Sequence, residues 1–496
     1  MLTKSNYLLG LQCPKLLWIT KNQKEKIPKP DELTLQKFKV GNLIGVLATK
    51  IFDGGTDLSD LGFGENLNGT KEALMLRKPI FEAGVLVDDL FSRGDILFPV
   101  GENKWDIIEV KSATKVKEIN LHDVAFQKYV YEKAGLKIRK CFVMHINNEY
   151  VRNGKIEPKE FIIQTDVTDK IPEYSEGIEK RIENMLKIIK SKDEPKCSIG
   201  IYCSDPYDCP LKENCWKDVP EDSVMDFYRM RKLNCFELYD RGIKCLNQVP
   251  DDIKLNDKQK IQRLLVEKGG VHQDKEKIDF FLKNLKYPIY YLDFETINPA
   301  VPKFDGMKPY QRIPFQFSLH IQEKPNGELK HISFLAEGKT DPRPKFIQTL
   351  KDTLGKRGDI LVYNQGFEKG VMNECQMAFP EFKEWYEENI LPRIKDLWDV
   401  FRNFWYYDPK QKGSASIKYV LPVMSDLSYR EMDIKNGALA SYEWERITFL
   451  ENVSDEEKKK VMDNLEKYCE LDTLAEVEIV KGLKEELNSF GNVKEE

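Results

Sequence analysis

Residues 92–112 read SRGDILFPVGENKWDIIEVKS and decide the fold of the first half of the chain. They contain the end of one strand-like run and a second run that starts at Lys104. A predicted helix over residues 122–134 follows, closed by Gly135, and the strand-like stretch KCFVMHIN of residues 140–147 comes next. Hairpin-like strands followed by a helix and a further strand predict an α/β unit.

Three of the charged side chains on these two strands are candidate site residues. Asp95 ends the first strand, while Glu109 and Lys111 lie two apart on the second and therefore share one face of the sheet. Two carboxylates at a strand end can ligate Mg²⁺ or Mn²⁺, and a neighbouring lysine can stabilise charge on a phosphate. Gln127 and Tyr131 lie four apart on one face of the next helix, where they can orient the lysine and a phosphate.

The motifs GDIL, IIEVKS and AFQKYVY resemble those of the PD-(D/E)XK nucleases of the RecB-like branch. The resemblance covers residues 1–217 and implies a restriction-endonuclease-like nuclease domain there. It also implies that Asp95 and Glu109 ligate the metal and that Lys111 is the catalytic lysine. Glu82, on the preceding strand, is expected to be a solvated carboxylate, and a further acidic neighbour of the metal is the alternative.

Ten cysteines are unevenly distributed, and four of them crowd into residues 197–215. In a cytoplasmic chain this density indicates a metal or a cluster rather than disulfides. Zn²⁺ and iron–sulfur clusters both accept four cysteine ligands. Short Cys-x-x-Cys pairs, the common zinc spacing, are absent from this segment.

The segments LQCPKLLW and YCSDPYDCPLKENCW resemble those of the iron–sulfur nucleases of the same branch, such as the CRISPR-adaptation nucleases. The resemblance implies that Cys13, Cys203, Cys209 and Cys215 bind a 4Fe-4S cluster that closes the nuclease domain. Cys197 is an additional cysteine, so a local set of four ligands is the alternative, as is Zn²⁺ in place of the cluster. The cluster is expected to be structural, because no electron-carrier domain is evident.

A second acidic set begins at YYLDFET, where Asp293 and Glu295 share one face of an apolar strand. Two inward carboxylates beside aromatic residues are costly unless a metal binds them. Glu368 follows another strand in DILVYNQGFEKGV, and Tyr468 and Asp472 lie one turn apart on the last long helix. Four carboxylates and a phenol suit two-metal phosphodiester hydrolysis, in which the tyrosine hydroxyl positions the attacking water.

This set resembles that of the DnaQ-type, RNase H-like 3′–5′ exonucleases that have a tyrosine in the last motif. The resemblance implies that Asp293, Glu295 and Asp472 are metal ligands and that Tyr468 orients the water.

Two neighbouring features bear on this resemblance. Glu368 stands where the family usually has aspartate, a departure that concerns the activity of the domain more than its fold. The phrase GSASIKYVLP resembles the substrate-side region of these exonucleases, with Lys418 as a phosphate contact.

The chain is therefore predicted to have three parts: the nuclease domain, a polar helical connector over residues 218–285, and an RNase H-like domain over residues 286–496. Within the connector, residues 238–250 are interpreted as a linker, with a small helix-turn-helix as the alternative. This order resembles a group of bacterial RecB-like nucleases fused to an RNase H-like domain.

Length and composition limit the classes of protein to which this chain can belong. At 496 residues the chain is long enough for two or three domains, and 41% hydrophobic residues can form their cores, while 32% charged residues of mixed sign do not indicate disorder. No apolar run approaches the roughly 20 residues that span a bilayer, and the N-terminus lacks a signal-peptide cleavage site, so a cytoplasmic protein with no membrane partner is expected. The net charge of −5 does not by itself indicate nucleic acid.

The leading interpretation is a metal-dependent nuclease acting on DNA, with a second 3′–5′ exonuclease site, in repair or in defence against foreign DNA. One alternative is an RNA-processing exonuclease. The other is a non-catalytic nucleic-acid-binding scaffold. The intact pairs Glu109/Lys111 and Asp293/Glu295 argue against the scaffold, whereas Glu368 and the modest charge argue for it.

Overall fold

A seven-stranded sheet and a five-stranded sheet organise the chain in a computed structural model that describes residues 1–489. Contacts divide the chain into two units. The first comprises residues 1–218 and 300–310, and the second comprises residues 219–299 and the chain from 311 onward. Both units mix helices and strands, which confirms the predicted α/β class.

The first unit is built on the seven-stranded sheet. Its strands are β1 (Leu2–Thr3), β2 (Thr56–Asp57), β3 (Ile80–Val87), β4 (Leu90–Val100), β5 (Lys104–Lys111), β6 (Lys137–Ile146) and β7 (Ile162–Asp166). Its helices are α1 (Lys4–Gln12), α2 (Pro14–Asn22), α3 (Glu32–Thr49), α4 (Phe63–Leu76), α5 (Glu118–Lys133), α6 (Pro158–Phe161), α7 (Ile171–Ser175), α8 (Ile178–Lys190) and α9 (Lys212–Trp216). The strand order is β2-β3-β4-β5-β6-β7, with β1 beside β4.

Strand β5 is central because both of its faces are covered. Ile107 packs with Val124 and Phe126 of α5, whereas Ile108 packs with Ile44 of α3. Strands β3, β4 and β5 are antiparallel, and β5 and β6 are parallel. A parallel pair needs a crossover connection, and α5 provides it, so that Glu109 points toward that helix.

The Gly-, Asp- and Asn-rich composition of residues 51–70 predicts a loop, and this prediction is wrong from Phe63, where α4 begins. The core-facing positions of α4 include Asn66 and Thr70, which are 1% exposed, so no apolar periodicity marks this helix. The amide of Asn66 donates to the carbonyl oxygens of Leu58 and Glu82 at 3.1 and 2.9 Å. Hydrogen bonding therefore takes the place of apolar contact at this position.

Two other helical predictions are corrected. The charged stretch of residues 171–191 predicts a single helix, but the structure splits it into α7 and α8 at Gly177, whose φ of 66° is left-handed. The helix-turn-helix considered for residues 238–250 does not form, because the helix there ends at Asp240 and only a 3₁₀ turn over Leu246–Gln248 follows.

The second unit contains the five-stranded sheet. Its strands are β8 (His272–Gln273), β9 (Ile289–Ile297), β10 (Ile313–Gln322), β11 (Leu329–Leu335), β12 (Asp359–Val362), β13 (Ile394–Asp396) and β14 (Tyr406–Tyr407). Its helices are α10 (Lys232–Asp240), α11 (Asp257–Lys268), α12 (Lys275–Lys283), α13 (Arg343–Thr353), α14 (Gln365–Ala378), α15 (Lys383–Trp385), α16 (Trp398–Arg402), α17 (Ile417–Met424), α18 (Gly437–Glu445) and α19 (Asp455–Ser489).

The sheet order in this unit is β11-β10-β9-β12-β13. Strand β10 is antiparallel to both β9 and β11, whereas β12 is parallel to β9 and to β13. Helix α19 crosses one face of the sheet, where Gln316 donates to the carbonyl oxygen of Leu465 at 2.9 Å. Because Gln316 pairs with Glu295 and Ser318 with Asp293, both carboxylates project toward α19.

The residues predicted as a connector pack within the second unit. Strand β8 pairs with β14, and Lys258 of α11 donates to the carbonyl oxygen of Arg402 at 2.6 Å. Among residues 1–489, none of the helices is sufficiently long and apolar to cross a membrane.

Asn66→Ala is expected to destabilise the first unit by about 2 kcal/mol, because two buried carbonyl groups lose their donor. This corresponds to a thermal unfolding midpoint lower by about 4–8 °C. Asn68→Ala, at an exposed position of the same helix, is the matched control and should change the midpoint by less than about 2 °C. Equal midpoints for the two variants would contradict the role assigned to the Asn66 amide.

Candidate functional site

Glu109 is the centre of the first candidate site and is only 1% exposed. Its Oε1 accepts hydrogen bonds from Lys4 Nζ at 2.9 Å and from Lys111 Nζ at 2.6 Å. Its Oε2 accepts from Gln127 Nε2 at 2.6 Å. The two strand residues and the helix residue that the sequence predicted thus meet in one place.

Asp123 is a second buried carboxylate of this site, and sequence reasoning missed it. Its Oδ2 accepts from Lys111 at 2.8 Å and its Oδ1 from Gln127 at 3.0 Å. A signal was available, since Asp123 lies one turn before Gln127 on the same face of α5. Lys4 was also missed, and it left no local signal because 105 residues separate it from Glu109.

Asp95 lies beside Glu109, and the pKa values of the two carboxylates are shifted in opposite directions. Its Oδ2 accepts from the Val110 backbone N–H at 2.6 Å, and its Oδ1 is 3.8 Å from Lys4 Nζ. Burial, and then the charge of Glu109, raises the pKa of Asp95 to about 7. Burial also favours a higher pKa for Glu109, but Lys111 and Lys4 outweigh it and the pKa is lowered overall. Two adjacent carboxylates therefore compete for the same positive charges.

Tyr131 bonds to backbone groups. Its hydroxyl donates to the carbonyl oxygen of Ala83 at 2.7 Å and accepts from the Gly94 N–H at 2.9 Å. A Cβ at Gly94 would be 2.6 Å from this hydroxyl and 2.7 Å from Gln127 Oε1, so only glycine allows this approach. Tyr131 therefore joins β3 to β4 behind the carboxylates.

A cavity of about 1030 Å³ opens over these residues within the first unit. One wall carries the charged groups, and Glu82 is among them, paired with Arg93 at 2.8 Å. The opposite wall is α3, which contributes Phe38, Gly41, Asn42, Gly45 and Val46. The lining combines the cations Lys4, Arg93 and Lys111 with the carboxylates Asp57, Glu82, Asp95 and Glu109 and with the small and apolar residues of α3.

Asp293, Glu295 and Asp472 form the second candidate site, and each offers a carboxylate oxygen within 4.8 Å of the others. Burial raises the pKa of Asp293 and of Glu295 well above the usual range, and the neighbouring carboxylates add to this effect. Burial also raises the pKa of Asp472 to about 6, although hydrogen bonds to tyrosines oppose it. Burial and mutual repulsion destabilise the ionised forms of these three carboxylates, and a divalent cation bound to their oxygens would stabilise them.

Two tyrosines lie next to Asp472. Tyr429, which the sequence did not reveal, donates to Asp472 Oδ1 at 2.7 Å. Tyr468 is 4% exposed, and its ring centroid is 6.1 Å from that of Tyr429. Burial, and then Asp472 and the other carboxylates, raises the pKa of Tyr468, so its hydroxyl keeps its proton. The Lys418 ammonium is 5.6 and 5.9 Å from the two ring centroids and donates to the carbonyl oxygen of Lys435.

Two more glutamates lie close to these three carboxylates. Glu368 and Glu476 are 3% and 1% exposed, and the Oε2 of each has no hydrogen-bond partner among the described residues. Burial and the charge of Asp293 raise the pKa of both glutamates. Glu476 was missed, although it lies one turn beyond Asp472 on the same helical face. Orphaned buried oxygens next to carboxylates indicate a place that a cation can occupy.

Asp396 positions the segment that carries Glu368. Its carboxylate accepts from the backbone N–H groups of Asn364 and Gln365 at 2.9 and 3.2 Å, at the start of α14. Asn364 has a left-handed φ of 80°, so these bonds stabilise a strained turn. A cavity of about 390 Å³ reaches the carboxylates, and Arg312 and Lys418 are the cations on its wall.

The cysteines near the N-terminus and in residues 197–215 come together in the first unit. Cys13, at the start of α2, packs in one cluster with Cys197, Cys209 and Cys215. Burial raises the pKa of Cys209 to about 11, with smaller effects from the thiols of Cys13, Cys203 and Cys215. Cys13 also contacts Cys197 through a hydrogen bond. All five candidate ligands are therefore neighbours.

Hydrogen bonds fix the approach of the N-terminal segment to this cysteine segment. Gln12 Nε2 donates to the carbonyl oxygens of Tyr202 and Tyr207 at 2.8 and 2.6 Å, and Trp18 Nε1 donates to that of Ser191 at 2.9 Å. The two ends of the first unit are thus held together at the cysteines.

The second unit has a counterpart among known domains. A family described as a domain of unknown function (DUF2779) matches residues 290–416. That range contains Asp293 and Glu295 but ends before Asp472. The matched segment of this chain therefore includes part of the second candidate site.

Two relatives are described only as uncharacterized proteins. One, from Ureaplasma parvum serovar 3, is 27% identical over 225 residues, which cover 41% of this chain and 32% of that protein. The other, from Mycoplasma pneumoniae, is 27% identical over 224 residues, which cover 41% of this chain and 33% of that protein. The chain spans about a third of the length of these curated relatives.

Lys4→Gln is expected to tighten Mn²⁺ binding at the first site by at least about tenfold, because an ammonium group competes there with a cation. The ammonium lies 2.9 Å from Glu109 and 3.8 Å from Asp95. Electron paramagnetic resonance titration of free Mn²⁺ would measure the affinity, in an Asp293→Asn, Asp472→Asn background that weakens the second site. Lys128→Gln, which removes a partly exposed lysine of α5 paired with Glu132, is the control. Weaker binding by Lys4→Gln would refute the competition.

Proposed function

We propose that this chain is a divalent-metal-dependent nuclease that hydrolyses phosphodiester bonds of DNA at two separate sites. The observation that carries the proposal is the convergence of Asp293, Glu295 and Asp472, three buried carboxylates with oxygens within 4.8 Å of one another. Their motifs, together with Tyr468, resemble those of the DnaQ-type exonucleases. The sheet order and strand directions of the second unit are compatible with the RNase H-like fold that this resemblance implies.

At the second site, Asp293, Glu295 and Asp472 would hold Mg²⁺ or Mn²⁺, and the metal would supply water activation and stabilisation of the leaving oxygen. Glu368 is a candidate for a further ligand, because its Oε2 is buried and unpartnered and the charge of Asp293 acts on it. Tyr468 retains its proton, so its hydroxyl is suited to orient a water molecule by hydrogen bonding.

At the first site, Asp95 and Glu109 would hold the same kind of cation. Lys111 stays protonated, because the charges of Glu109 and Asp123 raise its pKa despite burial. A lysine fixed in this way can stabilise negative charge on a phosphate. Gln127 donates to both Glu109 and Asp123 and thereby fixes the orientation of the carboxylates. These roles are those expected of a PD-(D/E)XK nuclease of the RecB-like branch.

We further propose that Cys13, Cys203, Cys209 and Cys215 bind a 4Fe-4S cluster in the first unit. Cys13 packs in one cluster with Cys197, Cys209 and Cys215, and Cys203 is close enough to Cys209 to influence its pKa. Four thiolates gathered in this way can each bind one iron of a 4Fe-4S cluster.

The proposal is tested with 5′-labelled single-stranded DNA, duplex DNA and RNA, with and without Mg²⁺ or Mn²⁺. Wild-type protein is expected to cleave DNA only with metal and to release mononucleotides stepwise from the 3′ end. Asp472→Ala should remove the stepwise ladder, because loss of a carboxylate weakens the cation site. Tyr468→Phe should slow the ladder less, since the carboxylates remain, and Tyr419→Phe, at an exposed tyrosine, is its matched control.

Cleavage at the first site is isolated in an Asp293→Ala background. There, Lys111→Ala should slow cleavage by about 100- to 1000-fold, the usual cost of a lost charge-stabilising donor, while Lys128→Ala should not. An equal rate for Lys111→Ala and its parent would refute the assignment of the first site. Cleavage of RNA in preference to DNA would favour the RNA-processing alternative, and binding without cleavage of any substrate would favour the scaffold.

Anaerobically purified protein is expected to be brown and to contain about four irons per chain if a cubane cluster is bound. Cys13→Ser should abolish the visible absorbance, whereas Cys197→Ser and Cys235→Ser should leave it. Visible absorbance and iron analysis measure the outcome. Stoichiometric zinc without iron would contradict the cluster, and loss of absorbance in Cys197→Ser but not in Cys13→Ser would move the fourth ligand to Cys197.

A further inference from the structure

Two of the five histidines of the chain face each other on the sheet of the second unit. His320 of β10 and His331 of β11 are direct partners across the antiparallel pair, and their ring centroids are 4.6 Å apart. Glu470 of α19 completes the group. Each of the three residues offers a ligand atom within 4.8 Å of the other two.

Hydroxyl groups on both sides of this group determine where the ring protons lie. Thr473 donates its hydroxyl proton to the carbonyl oxygen of Glu470 at 3.1 Å, and Ser318 lies 2.7 Å from Thr473 Oγ1, to which it can donate. With those protons used, Thr473 accepts from His320 Nδ1 at 2.8 Å, and Ser318 accepts from His331 Nε2 at 2.9 Å. In this arrangement of protons each imidazole donates through one nitrogen to a hydroxyl.

The other nitrogen of each ring carries a lone pair. In a neutral imidazole one nitrogen donates and the other accepts, which leaves His320 Nε2 and His331 Nδ1 as acceptors. His331 Nδ1 is 3.6 Å from Glu470 Oε1, so a lone pair lies next to a carboxylate oxygen. That arrangement is repulsive unless a cation or a proton lies between the two atoms. Burial lowers the pKa of His320 to about 4, which keeps that ring neutral.

We infer that His320, His331 and Glu470 bind a divalent transition-metal ion, for which Zn²⁺ is the natural occupant. Two imidazoles and one carboxylate match three-ligand zinc sites, whereas Mg²⁺ prefers oxygen donors alone. Histidine ligands commonly donate their second ring nitrogen to a neighbouring acceptor, which fixes the tautomer, and Ser318 and Thr473 already act in this way.

This ion would have a different place and chemistry from the cation of the second candidate site. The side chains of His331 and Glu470 are 27% and 47% exposed, which gives the ion a path from solvent. Bound there, it would tie β11, the edge strand, to helix α19, which also carries Tyr468 and Asp472. The ion would thus fix the position of that helix on the sheet.

The test is a count of bound zinc. Full-length protein stripped with a chelator is titrated with Zn²⁺ against a chromophoric competitor, in millimolar Mg²⁺ so that oxygen-only sites are occupied. Wild-type protein is expected to bind one zinc ion more than His331→Gln and one more than Glu470→Gln. His272→Gln, which removes a histidine of β8 in the same unit, is the matched control and should bind as many as wild type. Zinc ions bound by the cysteines are present equally in every variant, so they do not affect the difference in zinc count between variants.

Co²⁺ provides a second readout. Visible bands typical of nitrogen and oxygen ligands should appear in wild type and in His272→Gln and be absent from His331→Gln. Equal zinc counts and equal cobalt spectra for wild type and His331→Gln would overturn the inference. In that case His331 would be a protonated partner of Glu470, an ion pair that holds no metal. Neither readout depends on nuclease activity, so failure here is distinct from failure of the proposed function.

Discussion

The burial of ionised carboxylates is the constraint on which both units depend. A carboxylate loses its hydration when buried, and this cost must be offset by a cation, by hydrogen bonds or by uptake of a proton. In the first unit the chain itself supplies the cations, because Lys4 and Lys111 both donate to Glu109. The approach of Gln127 and Tyr131 to the sheet, which requires glycine at position 94, completes this network. One buried charge therefore links α1 and α5 to β5.

The second unit meets the same constraint in another way. Asp472 accepts a hydrogen bond from Tyr429, and Asp293 contacts the thiol of Cys469 at 3.8 Å, but neither partner carries a positive charge. The buried carboxylates there retain a demand for a cation from solution. Helix α19 contributes Asp472 to these carboxylates on one face and presents Glu470 to the histidine pair on the other. Two sites of different ligand chemistry thus share one helix.

Local patterns predicted the strands within residues 92–112 from their apolar runs and placed Tyr468 and Asp472 on one face of the last helix, because such patterns are properties of neighbouring residues. Helix α4 could not be predicted in this way. Its inward positions include Asn66, whose amide donates to the carbonyl groups of Leu58 and Glu82. Such partners are known only after folding.

The sequence by itself determined which side chains share a face, as with Glu109 and Lys111, since a strand repeats every two residues. It did not reveal Lys4, because that lysine reaches Glu109 only when the N-terminal helix packs on the sheet. The pairing of His320 with His331 was equally hidden, since it depends on the register between β10 and β11. Periodicity is encoded by adjacent residues, whereas register and helix packing are set by the whole core. Tertiary structure therefore decided which charges and ligands meet.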